Sequence, residues 1–159
     1  MKLDMQIDIK VEDKEFRGTT RSVLLVNEAN LNQEFIEQPS TFAWFATLAE
    51  IANAEVSSKE LALEVLKANL EGELRQRLAE LGGKVTEKMI EGGVITDKRY
   101  KVATEELIDS TKQLGILKSM VKALDQRKDM LIQLGSMKRQ EMFLDGSGLD
   151  LKKIREHNQ

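Results

Sequence analysis

Cysteine is absent from this 159-residue chain, proline and histidine each occur once, and aromatic residues make up only 4%. Without cysteine there is no disulfide and no thiolate metal site, a composition that suits a reducing cytosol. A single proline and so few aromatics argue against a sandwich or barrel built on many turns, and for long helices. There is no run of about 18 apolar residues and no N-terminal basic-plus-apolar segment. A soluble cytoplasmic protein with no membrane partner is therefore expected. Catalytic chemistry is equally poorly supplied. The one histidine, His157, lies two residues from the C-terminus and reads as a solvated side chain. With no second histidine, no thiol and no glycine-rich loop between strand and helix, there is no nucleophile–base pair and no phosphate cradle. Carboxylate pairs such as Glu105–Glu106 read as exposed helix charge. No enzyme, cofactor or metal is expected.

What the chain does have is charge, at 32% of residues with a net of −3. Residues 1–39 carry 5 bases against 8 acids and residues 40–83 carry 4 against 7, whereas residues 84–144 carry 12 against 9. The tail 145–159 balances at 3 against 3. Such a split either orients subunits head to tail or brings nucleic acid to one face; the plainer reading is ordinary variation along a charged helical surface.

The opening MKLDMQIDIKV alternates apolar and polar residues with period two, the pattern of a half-buried strand. VLLV (23–26), after a break containing Gly18, is expected to pair with it as a hairpin. A lone hairpin is marginal in water, so its apolar face should lie on helices or on a neighbouring subunit. From Asn27 the period becomes helical. A short helix is expected to end at Pro39, with Ser40 capping the next. That next helix runs to Leu81, roughly 60 Å at 1.5 Å per residue, weakly apolar and prone to bend or fray over Asn53–Lys59. Gly82-Gly83 stops it. A short turn of helix (TEKMIE) from Val85 or Thr86 ends at Gly92-Gly93, read as turn punctuation. Thr96 or Asp97 then caps a second long helix with two interleaved heptad series, Tyr100–Leu107–Leu114–Val121 and Ala103–Ser110–Leu117–Leu124–Leu131. It is expected to reach Leu144, with DGSG (145–148) a flexible break before a short terminal helix or frayed tail.

The fold class is therefore mainly α: a long, coiled-coil-like helical hairpin with short connecting helices and an N-terminal β element. The organisation is 1–26 β element, 27–144 helical domain and 145–159 linker and tail. Each helix buries only a narrow stripe, so homo-oligomeric assembly is expected.

Basic residues flank the first glycine pair: Arg75 and Arg77 before it, Lys84 and Lys88 after it. Glu71 and Glu73 stand four residues ahead of the two arginines, the favoured orientation for surface ion pairs. Two-residue spacing points Arg75 and Arg77 to nearly opposite sides of one helix. On the residues alone, they read as salt-bridged surface charge. In the FAWF box (42–45), Phe42 and Phe45 read as core and Trp44 as an exposed ring able to stack on a base.

The order NLNQEFIEQPSTFAWFATL, LRQRLAELGG, TEKMIEGGVITDKRY and MVKALDQRKDMLIQLGSMKR resembles the UvsY family of phage recombination mediators over roughly residues 27–141. That resemblance implies a non-catalytic protein that binds single-stranded DNA. It also implies assembly into a homo-oligomeric ring, with a heptamer as one candidate size. Such a ring helps a RecA-type recombinase displace the single-strand DNA-binding protein. By position, the family's basic element falls on Arg75 and Arg77. Lys84 and Lys88 follow across the glycine turn, and Lys128, Lys138 and Arg139 are further candidates. The competing expectation is a structural or chaperone-like coiled-coil assembly protein of a phage, which shares the helices and the oligomer but needs no nucleic acid.

Overall fold

The computed structural model describes residues 4–82 and 84–156, with side chains as far as Asp145; Gly83 and His157 lie outside the described residues. The chain is mainly helical, with two long helices and an N-terminal antiparallel hairpin. Strand β1 (Gln6–Val11) pairs with β2 (Lys14–Thr19). Helix α1 (Thr20–Leu24) and a 3-10 turn (Glu28–Asn30) lead into α2 (Leu31–Glu80). Helices α3 (Glu87–Thr96) and α4 (Lys98–Glu156) complete it. No described helix is long and apolar enough to cross a membrane.

The alternating pattern of β1 is real: Ile7, Ile9 and Val11 are buried, while Gln6, Asp8 and Lys10 are exposed. Its partner is not VLLV but the polar segment KEFRGT, so Gly18 lies inside a strand. The turn between them is Glu12-Asp13, with Glu12 at a left-handed φ of 52°. VLLV is drawn into α1 and the segment after it, because Thr19 caps α1 in a reciprocal pair with Ser22. The Asp4 carboxylate adds to this start by accepting the Arg21 N–H at 3.1 Å. That hydrogen bond, ahead of those from Thr19 and Thr20, holds the Asp4 pKa below its usual value.

Pro39 does not end a helix; α2 runs through it. Proline removes one rung and crowds the carbonyl four residues back, yet the flanking positions are tied down. Gln38 is buried and its Nε2 donates to Leu124 O at 2.7 Å. Ser40 is no N-cap: its hydroxyl donates back to Glu37 O at 2.8 Å. Nor does the weakly apolar middle fray. Ala52 and Val56 are buried, and Lys59 joins Glu55 at 2.8 Å and Ser110 Oγ at 2.6 Å. The Lys59 hydrogen bond, with a further one from Ser110, keeps the Glu55 pKa low.

At the other end of α2, Gly82 has φ +68°, the left-handed conformation that closes helices, as the sequence suggested. In α4 the heptad reading holds: Ser110, Leu114, Leu117, Leu124 and Leu131 are buried, while Leu107 and Val121 are half-buried. No break occurs at Asp145–Gly148; the backbone of α4 continues to Glu156. Glycine costs only about 1 kcal/mol in a helix interior, and no proline follows to stop it.

The chain divides into two compact units. One takes in the residues up to Asp8, Arg17–Phe45 and the chain from Ser119; the other takes in Ile9–Phe16 and Ala46–Lys118. In the first, Gln38 meets Leu124; in the second, Glu55 and Lys59 meet Ser110. In each unit a segment of α2 is thus paired with a segment of α4.

Candidate nucleic-acid interface

The four basic residues singled out by sequence lie where α2 ends and α3 begins. Leu70 is buried and Leu74 and Leu78 half-buried, so these leucines fix which side of α2 faces inward. Thr86 caps α3, accepting the Met89 N–H at 3.4 Å, and Ile90 and Val94 are buried. Gly92 and Gly93 are helical residues, not a turn. At Gly93 a Cβ would stand 2.7 Å from Leu74 Cδ1, so this glycine lets α3 lie close on α2.

That approach decides what Arg75 does. Its guanidinium donates two parallel bonds to the Glu87 carboxylate, at 3.0 and 2.9 Å. Those bonds raise its pKa above the ordinary arginine value. Glu73 is engaged in the same manner by Arg99, at 2.7 and 3.3 Å. Arg99 also reaches Asp97 at 3.2 Å, and Asp97 caps α4 by accepting the Arg99 N–H at 2.8 Å. Hydrogen bonds from Arg99 hold both Glu73 and Asp97 below their ordinary pKa values. The expected Glu71–Arg75 and Glu73–Arg77 surface pairs are therefore replaced by two bidentate clamps between elements. A guanidinium fork matched to a carboxylate is stronger and more directional than a flexible pair four residues apart on one helix.

Arg77, Lys84 and Lys88 are exposed, and among the described residues none of them forms a salt bridge. Of the quartet, Arg75 holds α3 and the other three keep their charges open. Half of Arg75 still faces solvent, so the clamp is a surface clamp.

The further basic candidates divide in the same way. Lys128 is neutralised by Asp125 at 2.7 Å and Asp129 at 3.7 Å, and the Asp125 hydrogen bond raises its pKa. Lys138 and Arg139 line a groove and have no carboxylate partner among the described residues. Trp44 is 40% exposed beside buried Phe45, the two rings edge to face at 4.7 Å; Phe42 is half-buried. The residue that sequence reasoning missed is Arg127. It is buried and bonds to Glu34, to Gln38 Oε1 and, at 3.4 Å, to Leu25 O. Its signal was there to find: a charged residue between Leu124 and Leu131, on the apolar stripe of α4.

Chemically, this arrangement offers exposed cations at one helix junction. Glu105 and Glu106 are exposed on α4. Among the described residues, no group of three or more His, Asp or Glu side chains is placed to hold a metal ion. No protein-family model, curated protein or solved structure matches this chain.

Proposed function

We propose that this protein is a recombination mediator that binds single-stranded DNA as a homo-oligomeric ring. In this reading it helps load a RecA-type recombinase onto DNA covered by single-strand binding protein. The observation that carries the reading is the open charge of Arg77, Lys84 and Lys88 around the end of α2. They stand at and beside the position where the resemblance puts the family's basic element, while Arg75 and Arg99 are spent on clamps. Repeated once per subunit around a ring, three cations become a circular phosphate track. Binding is then sequence-blind and falls as salt rises, because each neutralised phosphate releases counterions.

The test is titration of a fluorescent single-stranded oligonucleotide over a range of salt, with Arg77→Ala/Lys84→Ala/Lys88→Ala as the variant. Arg75 is left in place so that α3 keeps its anchor. Three lost phosphate contacts lower the salt slope by about 2 per subunit engaged, at about 0.7 each on a single strand. A variant that assembles normally and binds with the unchanged slope removes these residues from the site. A wild type that fails to bind at low salt removes the mediator reading.

A second reading is favoured by the clamps themselves. Arg75, Arg99 and Arg127 all fasten one element to another, as suits a structural or chaperone-like coiled-coil assembly protein. That reading expects normal assembly and no salt-dependent DNA binding.

A further inference from the structure

The last turns of α4 with side chains described carry two grooves that share one residue, Arg139. In the first, of about 370 Å³, Lys138, Arg139 and Met142 face Asn30, Asn32 and Phe35 from the start of α2 and the turn before it. The second, of about 460 Å³, is lined by Ser136, Arg139 and Phe143, among others. Both volumes lie in the range of small-ligand sites, about 300–1,000 Å³. Phe35 is 39% exposed and Phe143 is 76% exposed. At Gly135 a Cβ would stand 2.9 Å from Phe35 Cζ, so the glycine seats that ring against α4. Arg139 thus lines both grooves, each of which also holds a partly open aromatic ring.

Like Arg77, Lys84 and Lys88, Lys138 and Arg139 have no carboxylate within salt-bridge distance among the described residues, in contrast to the cations that fasten elements together. Lys59, Arg75, Arg99, Arg127 and Lys128 each have a carboxylate within salt-bridge distance. Among the described residues, neither groove is lined by a carboxylate, and the hydrogen bond from Arg139 goes to Ser136 Oγ, at 3.0 Å. Two cations without a carboxylate partner among the described residues, two partly exposed rings and two asparagine amides suit a ligand that combines phosphate with flat, hydrogen-bonding heterocycles. An acidic peptide would use the cations and leave the rings without purpose.

We propose that these two grooves bind successive nucleotides of a single strand, phosphate on Lys138 and Arg139, bases against Phe35 and Phe143. Base–aromatic stacking beside a basic groove is the usual construction of such sites and carries little sequence preference. The proposal rests on the nucleic-acid reading above and adds a contact region in the other compact unit, distinct from the α2–α3 junction.

The test uses the full chain and oligothymidylate as probe, with Lys138→Gln/Arg139→Gln and Phe143→Leu as variants. Oligomer size is measured for the wild type and both variants, and binding is compared between species of equal size. Loss of two phosphate contacts lowers the salt slope by about 1.4. Loss of one stacked base weakens binding about five- to 150-fold with the slope unchanged. Photocrosslinking of a 5-iodouracil oligonucleotide should then label the peptide containing Phe143. Unchanged slope and affinity in both variants, with binding still lost in the Arg77/Lys84/Lys88 variant, overturns this proposal and leaves the mediator reading standing. A wild type that does not bind the oligonucleotide at all removes both. A groove that takes polyglutamate and not oligothymidylate identifies an acidic peptide as the ligand, and also overturns it.

Discussion

Replacing Arg127 by methionine should destabilise the protein by about 3–5 kcal/mol, the usual loss when one member of a buried ion pair is removed. The side chains of Arg127 and Glu34 are 9% and 15% exposed, so water does little to screen the carboxylate left behind. Three groups lose a donor at once: the Glu34 carboxylate, Gln38 Oε1 and Leu25 O. Among the described residues, Glu34 then keeps the Asn27 N–H, at 2.9 Å on its other oxygen. Methionine fills much of the arginine's volume, so most of the loss comes from the stranded charge, with little from a cavity. The double variant Arg127→Met/Glu34→Met removes both charges and should regain most of the stability, because a buried pair exchanged for apolar side chains is often neutral. Urea unfolding of the wild type, both single variants and the double variant closes the cycle. With a slope of about 2 kcal/mol per molar, the single variant's midpoint falls by about 2 M and the double variant's by well under 1 M. Single and double variants of equal stability would refute the reasoning, since the Glu34 charge would then cost nothing once its partner had gone.

Two neighbouring glycines should respond with opposite signs. Gly93→Ala drives a methyl into Leu74 and should cost about 1–3 kcal/mol, whereas Gly92→Ala meets nothing within 4 Å and should gain about 0.5–1 kcal/mol; thermal melts of both decide it. Gly82→Ala puts a Cβ on a left-handed backbone and should lose about 1 kcal/mol in the same assay, even though the space around it is open. Glu55 has its folded-state pKa lowered by Lys59 and Ser110. Its contribution is thus fully present above the ordinary value of 4.5 and is lost as pH falls through the lower folded value. Melting temperatures of Glu55→Gln and wild type should therefore differ at neutral pH and converge in acid; a gap that persists in acid contradicts the assignment.

Much of this architecture was legible in the sequence because long periodic segments report their own buried face. The α4 stripe through Ser110, Leu117, Leu124 and Leu131 and the alternation of β1 both depend on repeats long enough to outweigh local noise. What sequence misplaced was decided by contacts between distant residues. KEFRGT has no apolar alternation and its turn has neither Gly nor Asn, so nothing local marks it as the second strand. Pro39, Gly92-Gly93 and DGSG are strong local stop signals. At Pro39 buried Gln38 holds the helix, and at Gly93 close packing on Leu74 does. At the candidate site, the positions and exposure of Arg77, Lys84 and Lys88 could be read from sequence. The capture of Arg75 by Glu87 could not, because their partnership depends on how α3 returns across α2. The Arg139 grooves escaped for the same reason: Phe35 lies 104 positions from Arg139 in the chain.

Pro39 carries no amide hydrogen, so the Phe35 carbonyl lacks its rung in the α2 ladder. The eight residues before it, Leu31–Gln38, are consequently joined to the rest of the helix by a weakened seam. Their protection against hydrogen exchange should then follow the Arg127–Glu34–Gln38 network more closely than it follows the body of α2. Weakening that network would release the leading turns as a separate foldon, before the helix behind the proline opens.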